Sequence, residues 1–252
     1  MSPEEVSTLC KRLARDISND VFKGKLTLEY EKQLRPCLIF KKKMYAGYDP
    51  STNDLLIKGL SAKRRNIMPF VRQTFQQVLQ SLCHSGDVEG ALAYVHRRFR
   101  SLLETQGGAI PEHFAITSSI KHISEYKGTP SLGYRVNQKL PHPLGPGERI
   151  SYVHYYDRTN PKHNGSKHRG NWLPGSSIDT ALPLEMIQHH SIIDVYKVLE
   201  QHERELRQSF RAVSAGHAKR FESLYRETTM AVKLDRGCTT YKNYDIKFIN
   251  YP

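Results

Sequence analysis

The stretch from Leu26 to Arg65 constrains this chain more than any other. Phe40-Lys41-Lys42-Lys43-Met44-Tyr45-Ala46-Gly47-Tyr48 runs from an apolar residue through three lysines to an aromatic and a glycine. Lys58-Gly59-Leu60-Ser61-Ala62-Lys63-Arg64-Arg65 supplies a second cationic cluster. Leu26, Leu28 and Tyr30 alternate with Thr27 and Glu29, the period of a half-buried strand. Leu38-Ile39-Phe40 reads as a short buried strand leading straight into the lysines. Asp49-Pro50-Ser51-Thr52-Asn53-Asp54 has turn chemistry, so Leu55-Leu56-Ile57-Lys58 is expected to return as the second arm of a hairpin. Such a hairpin holds two basic clusters on one sheet edge, close enough to grip a polyanion.

The bulk composition agrees with that partner. The chain has 252 residues, 38% of them hydrophobic, enough for a core in one domain or two small ones. Its formal net charge of +13 favours nucleic acid or an anionic surface. No apolar run approaches a membrane span, and the N-terminus lacks a signal-peptide pattern, so a membrane partner falls behind. Cys10, Cys37, Cys83 and Cys238 are scattered and never form a Cys-x-x-Cys pair. They read as reduced thiols of an intracellular protein, neither a zinc site nor a disulfide framework.

The remaining elements follow from caps and periods. Ser2-Pro3-Glu4-Glu5 is a helix start, and Val6, Leu9, Cys10, Leu13 and Ile17 then mark one apolar face opposite Lys11, Arg12 and Arg15. Phe70, Val71, Phe75, Val78, Leu79 and Leu82 form a helical stripe closed by Ser85-Gly86. Ala91, Leu92, Val95, Phe99, Leu102 and Leu103 form another, capped by Asp87 and closed by Gly107-Gly108. Burying five or six such side chains stabilises by about 10 kcal/mol before chain entropy is set against it. His96, Arg97, Arg98 and Arg100 cluster on the outer side, as a solvated face or a phosphate track.

Phe114 to Thr117 is a strand candidate, with helical character expected around Ile120 and Ile123. Leu132 to Leu140 is expected as a short helix and Arg149 to Tyr156 as a strand. Asp157 to Ser177 reads as a polar basic loop, with Trp172 as a packing anchor. His154, His163 and His168 lack the carboxylate or cysteine partners that a metal site needs. Leu182-Pro183-Leu184 is expected to open a helix carrying Ile187, Ile192, Ile193, Tyr196 and Leu199. Leu206, Phe210, Val213, His217, Phe221, Leu224 and Tyr225 suggest one long helix with a kink at Gly216, and Tyr244, Ile246 and Phe248 a last strand.

Three ordered motifs carry a resemblance. Leu28-Glu29-Tyr30-Glu31-Lys32, then Lys42-Lys43-Met44-Tyr45-Ala46-Gly47, then Lys58-Gly59-Leu60 with Arg64-Arg65-Asn66 and Pro69 resemble the end of the palm in family-B DNA polymerases. Gly147-Glu148-Arg149-Ile150-Ser151-Tyr152-Val153 is similar to a thumb segment of that family, with Ser151 in place of its proline. Leu182-Pro183-Leu184-Glu185 is similar to a second, with His189-His190 near the family's paired tyrosines. The resemblance fades near Leu199. The lack of C-terminal cysteine clusters departs from cellular replicative enzymes and points to a viral or otherwise reduced member.

The resemblance implies an α+β fold: short antiparallel palm strands with an N-terminal helix, then a mainly helical thumb with a small β element. It implies palm over residues 1–66 and thumb over 67–205, and leaves 206–252 as a C-terminal helix and tail of unknown role. It also implies a DNA-directed DNA polymerase, a nucleotidyltransferase of DNA replication, gripping primer–template DNA. By position in the motifs the DNA-binding residues are Lys42, Lys43, Tyr45, Lys58, Arg64 and Arg65. Lys43 and Lys58 then serve the minor groove, whose acceptors are nearly the same for every base pair. Tyr45 packs on a sugar, and Arg64 and Arg65 meet phosphates. Met44 stands where the family has an arginine.

The family's metal-holding motifs, Asp-x-x-Ser-Leu-Tyr-Pro and Tyr-Gly-Asp-Thr-Asp-Ser, do not occur in this sequence. The chain alone is therefore expected to have no catalytic residue and to bind no cofactor, the Mg2+ belonging to the complete polymerase. The implied partners are primer–template DNA and the remaining palm, fingers and exonuclease portion. A processivity factor is a further candidate, and the compartment expected is intracellular, the nucleus, whether the cell's own or a host's. The alternative is a non-enzymatic basic nucleic-acid-binding or virion protein whose lysines merely neutralise phosphate.

Overall fold

The computed structural model describes residues 1–105, 111–157, 159–160, 162–163, 166–168, 171–173, 175–188 and 192–235. The fold is α+β, and the chain divides into two compact units. One comprises Met1–Leu60 and Leu79–Val88, the other Ser61–Val78 and Glu89–Pro252.

The first unit begins with helix α1 (Pro3–Asp20). Its start is the expected capping box: Glu5 N–H donates to Ser2 Oγ at 3.2 Å, and Ser2 N–H donates to Glu5 Oε2 at 2.7 Å. The apolar face is less covered than its period suggests, with Leu13 46% and Ile17 38% exposed. The strand expected at Leu26 to Tyr30 does not form; Leu26 and Leu28 are exposed on a segment that enters no ladder among the described residues. Alternation alone makes no strand without a neighbour to take its backbone groups.

Strands β1 (Cys37–Lys41), β2 (Met44–Asp49) and β3 (Asp54–Lys58) make an antiparallel sheet in that order. β1 is an edge strand, with Ile39 exposed and Leu38 and Phe40 half-buried, so the buried strand expected there is only half-covered. Asp49 ties the turn into β3 by accepting Ser51 N–H at 3.0 Å and the Ser51 hydroxyl at 2.5 Å. Those two bonds hold its carboxyl below the usual carboxylate range.

Helix α2 (Pro69–Gln80) runs into a π-helical turn, Ser81–Ser85, which ends at Gly86 in the left-handed region. The core of the first unit is Ala46, Ile57, Leu60, Leu79, Leu82 and Cys83. Cys83 Sγ donates to Ala46 O at 3.7 Å, and the Tyr48 ring meets His84 edge-on at 4.6 Å.

The second unit contains α3 (Val88–Glu104, whose first residue lies in the other unit), β4 (Ile116–Ser119), α4 (Leu132–Asn137) and β5 (Arg149–Tyr156). A hairpin of β6 (Ser166–His168) and β7 (Asn171–Leu173) follows, where a loop was expected; strands of three residues leave no legible alternation. Then come α5 (Ser177–Thr180), β8 (Ala181–Pro183) and β9 (Ile192–Ile193). The helix expected from Leu182 begins only at Val195, where it does carry Tyr196 and Leu199: β5 takes both short strands before it, at Val153↔Leu182 and Tyr155↔Ile193, and outweighs the local apolar spacing. Around Ile123 the chain makes only a single 3-10 turn.

The C-terminal region holds two helices where one was expected, α6 (Val195–Val213) and α7 (Ala215–Asp235). The break is Ser214, whose extended backbone (φ −164, ψ 159) stops α6 and whose Oγ accepts His217 N–H at 3.2 Å. The chain folds back there, stacking Phe210 on Phe221 at 5.3 Å and pairing Arg207 with Glu222. A core of Val71, Phe75, Val95, Phe99, Leu199, Leu206, Phe210 and Phe221 results. Gly107-Gly108, His189-His190, Cys238 and the strand expected at Tyr244, Ile246 and Phe248 lie outside the described residues, as does the Trp172 side chain.

Candidate nucleic-acid interface

The basic hairpin edge is built by cross-strand register. Tyr45 lies directly opposite Ile39 on β1 and Lys58 on β3. Directly opposed residues share a face, so Ile39, Tyr45 and Lys58 form a row across all three strands. The neighbouring positions Ala46 and Ile57 point the other way and are buried. The row therefore lies on the outward side, with Lys58 exposed and Tyr45 half-buried.

Lys42 and Lys43 form the two-residue turn between β1 and β2, and both are exposed. Lys43 sits in the left-handed region at φ 62, which costs a non-glycine residue about 1–2 kcal/mol. The register slips at Phe40, between the Ile39 and Lys41 pairings, which lets that turn close. Gly59, at φ 68, follows Lys58 and presses on the turn; a Cβ there would collide with the Lys43 carbonyl oxygen.

Lys42, Lys43, Tyr45 and Lys58 thus come together within the first unit. Arg64 and Arg65 belong to the second. They follow a 3-10 turn, Ser61–Lys63, and both are exposed. Arg64 N–H donates to Ser61 O at 2.8 Å, and Arg65 O accepts Thr117 N–H at 3.2 Å. Met68 N–H donates to Gln201 Oε1 at 2.9 Å, and the Ser61 hydroxyl donates to the Glu205 carboxylate. Gln201 and Glu205 carry no local motif and lie 133 and 144 residues from those partners, so sequence pattern gave no sign of them.

Arg98 and Arg100 of the α3 cationic candidate serve structure. The Arg98 guanidinium lies 3.6 Å from the Phe70 ring centroid and donates to Thr74 Oγ1 at 3.2 Å, while Arg100 pairs with Glu104 at 2.8 Å. His154 shares a hydrogen bond with Thr180 Oγ1 at 3.1 Å, and burial pushes its pKa down to about 4. His163 Nδ1 accepts Asp157 N–H at 3.1 Å, leaving Nε2–H to donate to Asp179 O at 3.1 Å. Among the described residues, no three His, Cys, Asp or Glu come together in a way that could hold a metal ion.

A family model for DNA polymerase family B matches residues 1–208. This chain belongs to DNA polymerase family B. The DNA polymerase of Paramecium bursaria Chlorella virus NY2A is 26% identical over 163 residues, covering 62% of this chain and 18% of the relative. That of Acanthamoeba polyphaga mimivirus is 26% identical over 202 residues, covering 76% and 11%. The DNA polymerase delta catalytic subunit of Drosophila melanogaster is 35% identical over 96 residues, covering 36% and 9%. The solved structure of the family B DNA polymerase from Pyrobaculum calidifontis shares the fold, with a TM-score of 0.51 at 16% identity, over 77% of this chain and 24% of that one. The chain thus spans less than a fifth of these three relatives' length. The family B match ends inside α6, and α7 lies beyond it.

Proposed function

We propose that this chain is the end of the palm and the thumb of a DNA-directed DNA polymerase, holding the primer–template duplex during DNA replication. Residues 1–66 are the palm end and 67–205 the thumb, with 206–252 appended. The carrying observation is the outward row Ile39–Tyr45–Lys58 beside the Lys42–Lys43 turn. Lys43 and Lys58 serve the minor groove, where one donor fits every base pair and reads pairing geometry rather than sequence. Tyr45 packs against a sugar, Lys42 adds charge, and Arg64 and Arg65 meet phosphates.

Family B DNA polymerases generally use divalent metal ions. In this reading bond formation falls to carboxylates on other polypeptide, because neither Asp-x-x-Ser-Leu-Tyr-Pro nor Tyr-Gly-Asp-Thr-Asp-Ser occurs in this sequence. That polypeptide, the remaining palm with fingers and exonuclease, is the second partner. Leu13, Ile17, Val21, Leu26 and Leu28, all exposed in the first unit, offer it apolar surface. A processivity factor is a third partner, and the nucleus is the compartment we assign. Among the described residues no helix is long and apolar enough to cross a membrane.

The test is made in the assembled polymerase. Lys43→Ala and Tyr45→Ala are expected to lose primer binding and extension. Normal extension by both variants overturns the assignment.

A further inference from the structure

We propose that Gln201 and Glu205 of α6 are positioning residues that hold the Arg64–Arg65 turn in the shape that receives duplex phosphates. This rests on reading Arg64 and Arg65 as phosphate contacts. The two acceptors are four residues apart, on one face of α6. They take the two ends of one segment: Glu205 accepts the Ser61 hydroxyl, and Gln201 accepts Met68 N–H at 2.9 Å. The arginines project from the middle of that segment, exposed. Thr117 N–H fixes the Arg65 carbonyl at 3.2 Å, and Gln76 Nε2 donates to Ala62 O at 3.1 Å.

The staple is largely shielded from water. Met68 is 1% and Gln201 6% exposed, and the Glu205 side chain 11%. A buried donor deprived of its acceptor is costly, so the segment follows α6 closely. The helix is itself braced by α7, through the Phe210–Phe221 stack and the Arg207–Glu222 pair, while Arg220 of α7 binds Glu89 of α3. The helix beyond the family match thereby keeps α6 in place under the arginine turn.

The experiment measures binding of the full 252-residue chain to a short blunt DNA duplex as a function of salt. Gln201→Leu and Glu205→Leu each lose the acceptor but keep every arginine; they are expected to weaken binding about tenfold and to flatten the salt dependence. Gln201→Glu and Glu205→Gln retain an acceptor oxygen and are expected to restore the salt slope. Ser61→Ala, a milder change, is expected to reproduce Glu205→Leu if the leucine variant fails to fold. The double variant Arg64→Ala/Arg65→Ala tests the underlying reading: wild-type binding by it overturns the phosphate role itself. If that double variant binds weakly while Gln201→Leu, Glu205→Leu and Ser61→Ala bind as wild type, the positioning role is overturned and the phosphate role stands. Equal weakness of the leucine and conservative variants also overturns it, because the acceptor oxygen then does not matter.

Discussion

Gly59 rests against the main-chain carbonyl of Lys43, and both residues occupy the left-handed region, at φ 68 and 62. The Lys42–Lys43 turn and Lys58 are held together at that contact: Lys58 is adjacent to the glycine, and Lys43 is the residue it presses on. A side chain at position 59 meets both a positive φ and main-chain atoms that cannot swing away. Gly59→Ala is therefore expected to destabilise the chain by about 2–4 kcal/mol, read by denaturant unfolding. A wild-type midpoint for that variant would show that the contact is not formed.

Strain and charge at Lys43 separate cleanly. Lys43→Gly relieves the left-handed backbone and is expected to stabilise the hairpin by about 1 kcal/mol, whereas Lys43→Ala keeps the strain. Both are expected to lose duplex affinity alike. If glycine binds DNA as lysine does, the side chain is only a turn residue.

His202 is fully buried between the Phe70 and Phe99 rings, with Nδ1–H donating to Val198 O at 3.0 Å and Nε2 without a hydrogen-bond partner among the described residues. Burial pushes its pKa down to about 3, with nearby Arg98 acting the same way, and that of His154 down to about 4. Against an unfolded value of about 6.5, the unfolded chain binds more protons between these limits. Stability present above about pH 6.5 is therefore lost as pH falls toward 4 and then 3. Thermal unfolding across that window is expected to show the fall, and His202→Leu to flatten it. An unchanged acid slope in His202→Leu would remove His202 as the cause.

Ser214 and Gly216 make opposite predictions at the α6–α7 corner. Ser214→Ala loses the bond to His217 N–H and is expected to cost about 1 kcal/mol. At Gly216 an added Cβ meets only Ser214 Oγ, at 3.7 Å, so Gly216→Ala is expected to stabilise α7 by up to about 1 kcal/mol. Both are read from thermal or denaturant midpoints; destabilisation by Gly216→Ala would restore the kink at that glycine.

The Cys83 thiol is buried, and burial raises its pKa to about 11. It is expected to resist iodoacetamide in the folded chain at neutral pH and to react on unfolding, as mass mapping can follow. Rapid native alkylation at Cys83 would mean that the contact of the sheet with the Ser81–Ser85 turn opens readily.

Features written within a few residues of each other are legible in the linear chain. The α1 capping box, the α2 and α3 stripes, the β5 alternation and the β2–β3 hairpin all rest on local spacing and turn chemistry. So do the lysines of the first unit: the turn between Asp49 and Asp54 and the lengths of β2 and β3 bring Lys58 opposite Tyr45 through register alone. Whatever depends on a distant partner was settled only by folding. Leu26 to Tyr30 alternates yet finds no strand to pair with, while Leu182 and Ile192–Ile193 become strands because β5 is there to receive them. The fold-back at Ser214 follows from burying Phe210 against Phe221, and the Arg64–Arg65 turn is held by a glutamine and a glutamate far along the chain. A buried hydrogen bond or a stacked ring gains its energy from the group it meets, and linear spacing carries no record of that group.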